Sequence, residues 1–384
     1  MPLFLTNDDQ VRCIAVSEAI EAMEEGCRQF ARGDGIRRPR IDNYLPTSRQ
    51  EEYFCFSSME GGIRNPGYYA LRIKPDVLSW PTINGARRRV SYSHRPGLYG
   101  GLVLLYSVEN AEFLAIMNDG YIQHIRVAAT AALGIRYLSN PDSKVLGIFG
   151  SGGMARDFAI AAEIVRPIEC VQVYSPNPKH LEAYCDDMTK KLASKVVPMR
   201  TPEAVTQDVD ILCLCTNSLE PVVRPEWIRT GVHLSNVRST ELSPDGCATI
   251  EVAGLLTRRT PPSIGGFVDD DFGIRGDAMA YIGGQPEERA KVPVGAPTKN
   301  RYPNARYVDC CNWETGKPYR RERRDEITIL ATNSMGIHEG DAGASAGNQG
   351  IQFAAVAGRI YEGARKLGLG TELPPEMFLQ DIPT

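Results

Sequence analysis

The spacing of apolar positions changes several times along this chain, and the changes mark out its parts. Val16, Ile20, Met23, Cys27 and Phe30 recur at helical spacing, which predicts a helix from about Val16 to Ala31 closed by Gly33. From Arg40 to Val108 the pattern shortens to alternating or apolar runs broken by Gly and Pro. Tyr53-Phe-Cys-Phe, Tyr69-Ala-Leu-Arg-Ile-Lys and Gly101-Leu-Val-Leu-Leu-Tyr are the clearest strands there. Asn118-Asp-Gly120 reads as a turn, and Tyr121 to Leu138 as a long Ala-rich helix that bridges to the next part. Strands and helices then alternate. Val145 to Phe149, Cys170 to Tyr174, Val209 to Thr216, His233 to Asn236 and Gly254 to Thr257 read as strands, with helices from Met154 to Val165 and His180 to Ala193. That alternation implies a doubly wound parallel sheet. Residues 258–324 are loop-rich, and a last helix runs from Phe353 to Lys366 after a small-residue stretch, Gly340 to Gly350.

The junction after Phe149 carries chemistry. Gly150, Gly152 and Ala155 form a G-x-G-x-x-A pattern between a buried strand and a helix start. Such a pattern gives a tight turn, room for a pyrophosphate to approach the backbone, and close packing of helix on strand. Free N–H groups of Gly153, Met154 and Ala155, with Ser151 in the loop, would face the phosphates of a dinucleotide. An acidic residue ending the second strand would favour NAD, but Tyr174 is followed by Ser175, Asn177 and Lys179. These residues suit a ribose 2′-phosphate, so NADP is preferred slightly over NAD. A turn merely shaped by Pro176 and Pro178 is the plainer reading. Thr216, Asn217 and Ser218 end the third strand of the unit, and Asn236 and Val237 the fourth. Both ends are expected beside the nicotinamide half of the ligand.

Composition narrows the class without choosing a function. With 384 residues, 42% hydrophobic and 23% charged, the chain has room for two domains with proper cores. A net charge of −4 leaves no basic footprint for nucleic acid or a lipid surface. The 10 cysteines make no metal or disulfide framework, as expected of small buried residues in a reducing compartment. The N-terminus lacks signal-peptide character and no apolar run reaches membrane-spanning length, so a cytoplasmic protein is expected. The acidic triplet Asp269 to Asp271 reads as a solvated loop, and no metal is expected.

Four stretches together resemble the ornithine cyclodeaminase/mu-crystallin family. They are Arg38-Pro-Arg-Ile-Asp-Asn-Tyr-Leu-Pro46, Tyr121-Ile-Gln-His-Ile-Arg-Val-Ala-Ala-Thr-Ala-Ala132, Gly150 to Ala155, and Gly316-Lys-Pro318 running on to Asp325-Glu-Ile-Thr328. The resemblance implies a Rossmann-type domain, residues 125–326, inserted into an α+β substrate and dimerisation domain built from residues 1–124 and 327–384. It implies a homodimer and hydride transfer at a carbon next to a carboxylate, in an NAD(P)-dependent imine reductase or amino-acid dehydrogenase. An ammonia-eliminating cyclodeaminase with recycled NAD and a non-catalytic NADPH-binding protein are the alternatives.

The resemblance also assigns site residues. Arg40 stands where the family has an arginine on the substrate carboxylate, and Arg126 matches its second arginine. Arg72 corresponds to its strand lysine, with Lys74 two residues on and on the same strand face. A guanidinium offers paired donors suited to a carboxylate, although each cation taken alone reads equally as a surface ion pair. The family's Gly-x-Asp after His233 is missing: His233-Leu-Ser-Asn-Val-Arg-Ser-Thr-Glu-Leu242 places Asn236 or Arg238 there, which argues against true cyclodeamination. The proton source stays open among His94, His124, His338, Lys74 and water. Tyr44, Tyr53, Trp80 and Tyr92 are candidate pocket walls or core residues.

Overall fold

The computed structural model describes the chain apart from residues 39, 84, 257–271, 276, 277, 283, 284, 293–300, 311–316, 320, 332–348, 383 and 384; for residues 86, 272–275 and 278–281 only the backbone is described. The expected acidic triplet, His338 and nearly all of the small-residue stretch lie outside the described residues. Two large sheets organise the rest. The first is wholly parallel, in the order Lys195–Pro198, Cys170–Tyr174, Val145–Phe149, Ile211–Leu214, His233–Asn236, Thr328–Leu330, Val252–Leu255 and Arg306–Asp309. Its strand order reverses between Val145–Phe149 and Ile211–Leu214, so a crevice for a ligand opens at the carboxyl ends of that pair. Helices Gly153–Val165 and Pro178–Lys191 connect its first strands.

The second sheet is mixed and draws on both ends of the chain. Leu3–Leu5 runs parallel to Phe113–Asn118, and Thr371–Glu372 pairs with Leu3–Leu5 from the other side. Its centre is the long antiparallel pair Tyr53–Ile63 and Tyr68–Ser79, flanked by Arg40–Pro46 and Leu102–Ser107. Helices Val16–Arg32, Asp119–Leu138 and Gln349–Leu367 cover one end of one face, and their apolar sides make the main core with Met59, Ala70, Val103 and Leu105. The last helix sits very close to the sheet. A Cβ on Gly61 would lie 2.7 Å from the backbone carbon of Gly350, so glycine at both positions lets backbone meet backbone and sets where Phe353 lands.

Several expectations need correction. Asn118-Asp-Gly120 is no turn: the strand Phe113–Asn118 passes directly into the helix Asp119–Leu138, because Asp119 is held by a partner on the sheet. The loop-rich region contains Phe272–Arg275 and Ala278–Ile282, and the latter lies parallel to Arg40–Pro46. These strands therefore belong to the mixed sheet, although the 125–326 boundary assigned them to the nucleotide domain. Thr328–Leu330, expected in the other domain, lies inside the parallel sheet. Partners far away in sequence decide both placements, so neither leaves a local signal. Among the described residues no helix is long and apolar enough to cross a membrane, and no cluster of His, Cys, Asp or Glu could hold a metal.

Candidate active site

The glycine loop has the geometry of an anion cradle. Gly150 sits at φ +105°, a left-handed conformation, and a Cβ there would be 2.3 Å from the Cys215 carbonyl oxygen. Gly152 differs: a Cβ there would meet nothing within 4 Å, so the space above its backbone is open. The helix Gly153–Val165 starts with no side-chain cap and no acidic residue in its first turn. By contrast, the helix Pro178–Lys191 is capped by Asn177, whose Oδ1 accepts from the His180 N–H at 3.3 Å. Uncapped N–H groups beside open space suit a pyrophosphate. Ala155 is fully buried, as helix-on-strand packing requires.

Glu241 ties together the two loops on the far side of the crevice. One carboxylate oxygen accepts from the Thr216 N–H and hydroxyl at 2.7 and 2.8 Å, the other from the N–H groups of Val237 and Arg238 at 3.0 and 2.8 Å. Burial pushes this carboxyl up to about 7, against the pull of those donors. The Thr240 hydroxyl adds a bond to the Ser218 carbonyl at 3.0 Å. Asn217 is exposed between them, while Asn236 is buried and donates to the Arg238 carbonyl at 2.7 Å.

Opposite these loops, the mixed sheet presents charged residues in rows. Asp42, Ser57 and Lys74 stand directly across from one another on three adjacent strands, as do Tyr44, Cys55 and Asp76. Arg40 and Arg72 precede Asp42 and Lys74 by two residues, which puts both on the same face. Each cation has an acidic partner. Arg40 donates Nε to Asp42 at 2.7 Å and Nη2 to the Ser57 hydroxyl at 3.2 Å. Arg72 donates Nε and Nη2 to one oxygen of Asp119 at 3.0 and 2.5 Å. Lys74 bonds both oxygens of Asp76, and Arg89 approaches the same carboxylate at 3.6 Å. Burial lowers the Arg72 guanidinium from its ordinary value; Asp119 counters this, and Arg40 adds repulsion. Lys74 is lowered first by burial, then offset by Asp76, with Arg72 and Arg89 repelling its charge.

Arg126 joins this group from the bridging helix. Its Nη1 donates to Gln352 at 2.6 Å and its Nη2 to Gln123 at 2.8 Å, and its guanidinium carbon lies 5.0 Å from the centre of the Phe353 ring. Arg72 lies over the same ring at 5.7 Å. Two residues earlier, His124 points the other way, as helical geometry demands. It pairs with Asp157 at 2.8 Å and packs on Gly153, where a Cβ would be 2.4 Å from the ring. One helix therefore carries Arg126 on one side and props the start of the nucleotide helix on the other. His94 sits in a tight turn at φ +65°, between Ser93 and Arg95. Tyr44, Tyr53 and Trp80 pack with Leu78, Ile282 and Val292 in a small core at the end of the charged sheet face, and the Tyr44 hydroxyl donates to Asp42 at 3.3 Å; Tyr92 donates its hydroxyl to Glu52 at 2.8 Å.

Asp42, Asp76, Asp119 and Arg89 were not singled out from sequence. The first two did leave a signal: Asp42 follows Arg40 and Asp76 follows Lys74 by two residues, so each acid shares the face of its cation. A second link between the domains was also missed. Arg88 forms a β-bridge with Ser218, and the Leu219 N–H donates to the Arg87 carbonyl at 3.2 Å. That places the Arg87–Arg89 segment against the loop that ends the Ile211–Leu214 strand.

Comparison with known proteins agrees with this architecture. Over its whole length the fold is similar to Δ1-pyrroline-2-carboxylate reductase of Thermococcus litoralis in complex with NADH and L-proline, with a TM-score of 0.68 and 22% identity, covering 97% of this chain and 100% of that one. In sequence, the chain is 30% identical over 222 residues to a Rhizobium meliloti protein named as a dehydrogenase, covering 58% of this chain and 63% of the relative. It is also 30% identical over 240 residues to a Δ1-pyrroline-2-carboxylate reductase of Bacillus cereus, covering 62% of this chain and 68% of the relative. Residues 94–244, from the His94 turn through the nucleotide loop to the Glu241 tie, match the family pattern itself, and with the Bacillus relative they show that this chain belongs to the ornithine cyclodeaminase/mu-crystallin family.

Proposed function

We propose that this protein is an NAD(P)-dependent oxidoreductase of small imino and amino acids, working mainly as an imine reductase. The observation that carries this reading is the convergence of Arg72 and Arg126 on Phe353, with Arg40 on the same sheet face, beside a helix that also props the glycine loop. The names of the relatives and the NADH and L-proline of the Thermococcus structure support it. A dinucleotide along Gly150, Ser151, Gly152 and the N–H groups of Gly153, Met154 and Ala155 would supply hydride. Thr216, Asn217, Ser218, Asn236 and Val237 would bound its nicotinamide half.

The chain's own residues do the rest. Arg40 and Arg126 hold the substrate carboxylate. Arg72, with its fork committed to Asp119, contributes fixed positive charge more than direct bonds. Lys74, a half-buried ammonium on the same face with its pKa lowered by burial, holds the proton that the imine nitrogen gains as its carbon gains hydride. Catalysis is then orientation plus preorganised charge. The strand His233–Asn236 ends in an asparagine bound to backbone, and Glu241, which accepts from the next two N–H groups, spends both oxygens on the crevice loops, which does not favour cyclodeamination.

NADP is the preferred cofactor in this reading, because Ser175 and Lys179 stand at the strand tip with no carboxylate. The oxygen of Asn177 is used in the helix cap, so only its NH2 side can serve a phosphate. A homodimer is also proposed, through the second face of the mixed sheet. There Leu45 and Phe54 are exposed, and Ile73, Leu71, Leu102 and Leu104 share their face half-buried. Spectrophotometry with 2-oxo acid and amine pairs, cyclic imines, NADH and NADPH tests the reaction. Consumption of reduced cofactor is the expected result; ammonia release from a diamino acid without net cofactor change would overturn it.

A further inference from the structure

We infer that Tyr99 is a specificity-determining residue, its ring the wall on which the substrate's side chain packs. This rests on the reading of the site given above. The reacting carbon of an imino acid carries three groups. That reading gives the carboxylate to Arg40 and Arg126 and the nitrogen to Lys74, so the side chain takes the remaining direction. The Tyr99 ring stands beside the place of that nitrogen, with its centre 5.9 Å from the Lys74 ammonium. Tyr99 is 66% exposed, so much of the ring is free to be covered. Phe353, the ring that Arg72 and Arg126 share, is fully buried and offers no such surface. On the sheet itself the neighbours of Lys74 are Arg72, Ser57 and Asp76. An apolar chain laid over them would desolvate polar groups and give nothing back.

The backbone of Tyr99 is held in place. Residues 93–101 are fastened to the site at both ends. At one end the Ser93 hydroxyl donates at 2.6 Å to the carbonyl of Pro75, the residue between Lys74 and Asp76, and accepts from the Gly100 N–H at 3.0 Å. The Ser93 N–H donates to the Leu98 carbonyl at 2.7 Å, which closes the turn. At the other end the Gly101 carbonyl accepts from the Asp119 N–H at 3.0 Å. A Cβ on Gly101 would lie 2.1 Å from an oxygen of the Asp119 carboxylate, so the chain passes directly against the group that holds Arg72. Tyr99 thus hangs between two anchors, the strand of Lys74 and the ion pair of Arg72. A ring on a fixed backbone covers an apolar group at little cost in ordering. What it recognises is hydrocarbon, and the phenol hydroxyl is not part of the contact.

Straight-chain 2-oxo acids of increasing length test this: pyruvate, 2-oxobutyrate and 2-oxopentanoate, each with ammonium and NADH or NADPH. In wild type, kcat/KM is expected to rise about fourfold per added methylene, the scale for burying one such group. Tyr99→Phe should keep that increment, and Tyr99→Ala should bring it below about twofold. A merely structural role for Tyr99 would lower all three substrates together and leave the increment unchanged. A flat wild-type series, the same increment in wild type and Tyr99→Ala, or its loss in Tyr99→Phe overturns the inference. If wild type reduces no 2-oxo acid, the assigned reaction fails by itself. The wall is then judged by thermal shift with the same acids in the presence of NAD(H). Stabilisation that grows with chain length in wild type and Tyr99→Phe but not in Tyr99→Ala supports it. Shifts that are equal along the series, or alike in the three proteins, overturn it.

Discussion

Arg72 and Arg126 come from a strand and a helix of different parts of the chain, yet their guanidinium groups lie 5.7 and 5.0 Å from the centre of one ring, that of Phe353. The two are not equivalent. Arg72 is fully engaged with Asp119 inside the protein, whereas the partners of Arg126 include two neutral amides, Gln123 and Gln352. Both amides leave Arg126 at the junction of the bridging helix and the last helix, where a guanidinium's paired donors suit a substrate carboxylate. Arg126→Ala should lower kcat/KM by at least roughly tenfold, the scale of a lost charge-assisted contact. Steady-state kinetics on a purified variant with native circular dichroism checks this, and an unchanged value would remove Arg126 from the site.

Asp119 has a different task. It is buried with Arg72, so truncating it leaves an uncompensated guanidinium in the interior. Asp119→Ala should cost about 3–5 kcal/mol of stability, read as a shift of the urea midpoint. A loss below about 1 kcal/mol would mean that water reaches Arg72 readily.

The two glycines of the nucleotide loop should separate folding from binding. Gly150→Ala meets a carbonyl oxygen and a left-handed φ, so it should lose at least about 1 kcal/mol in denaturant unfolding. Gly152→Ala meets no protein atom, so its stability should stay near wild type while cofactor affinity falls, as measured by fluorescence titration with NADH and NADPH. Equal cofactor affinity in Gly152→Ala and wild type would place the pyrophosphate elsewhere.

Glu241 should leave a signature in the pH dependence of stability. Its folded value of about 7 lies above the ordinary 4.5, so the folded state binds the proton more tightly than the unfolded chain does. This group's contribution is therefore fully present below pH 4.5 and is lost as pH rises towards and through 7. Urea midpoints of wild type should show that decline, and Glu241→Gln, which cannot titrate, should lack it. Parallel curves for the two proteins would show that the bound donors keep Glu241 ionised throughout.

Phe54 tests the proposed dimer. It is exposed directly across from the exposed Leu45 on the outer sheet face, so Phe54→Glu should shift a dimer to monomer in sedimentation velocity while the monomer keeps its fold. A wild-type protein that sediments as a monomer at micromolar concentration would end the proposal.

The sequence by itself determined the parts whose physics is local. Periodicity located the helix Val16–Arg32, the alternating strands and helices of the parallel sheet, and the strand–glycine–helix junction at Gly150, because those patterns reflect which side of one element is buried. The i, i+2 relation of Arg72 and Lys74 was legible for the same reason. Tertiary structure alone decided the rest. It took Ala278–Ile282 to the mixed sheet and Thr328–Leu330 into the parallel one, made Asp119 the partner of Arg72, and brought Arg88 against Ser218. Each of these joins residues far apart in the chain, and pairing at such distance depends on the shape and charge of a surface that exists only once both pieces have folded.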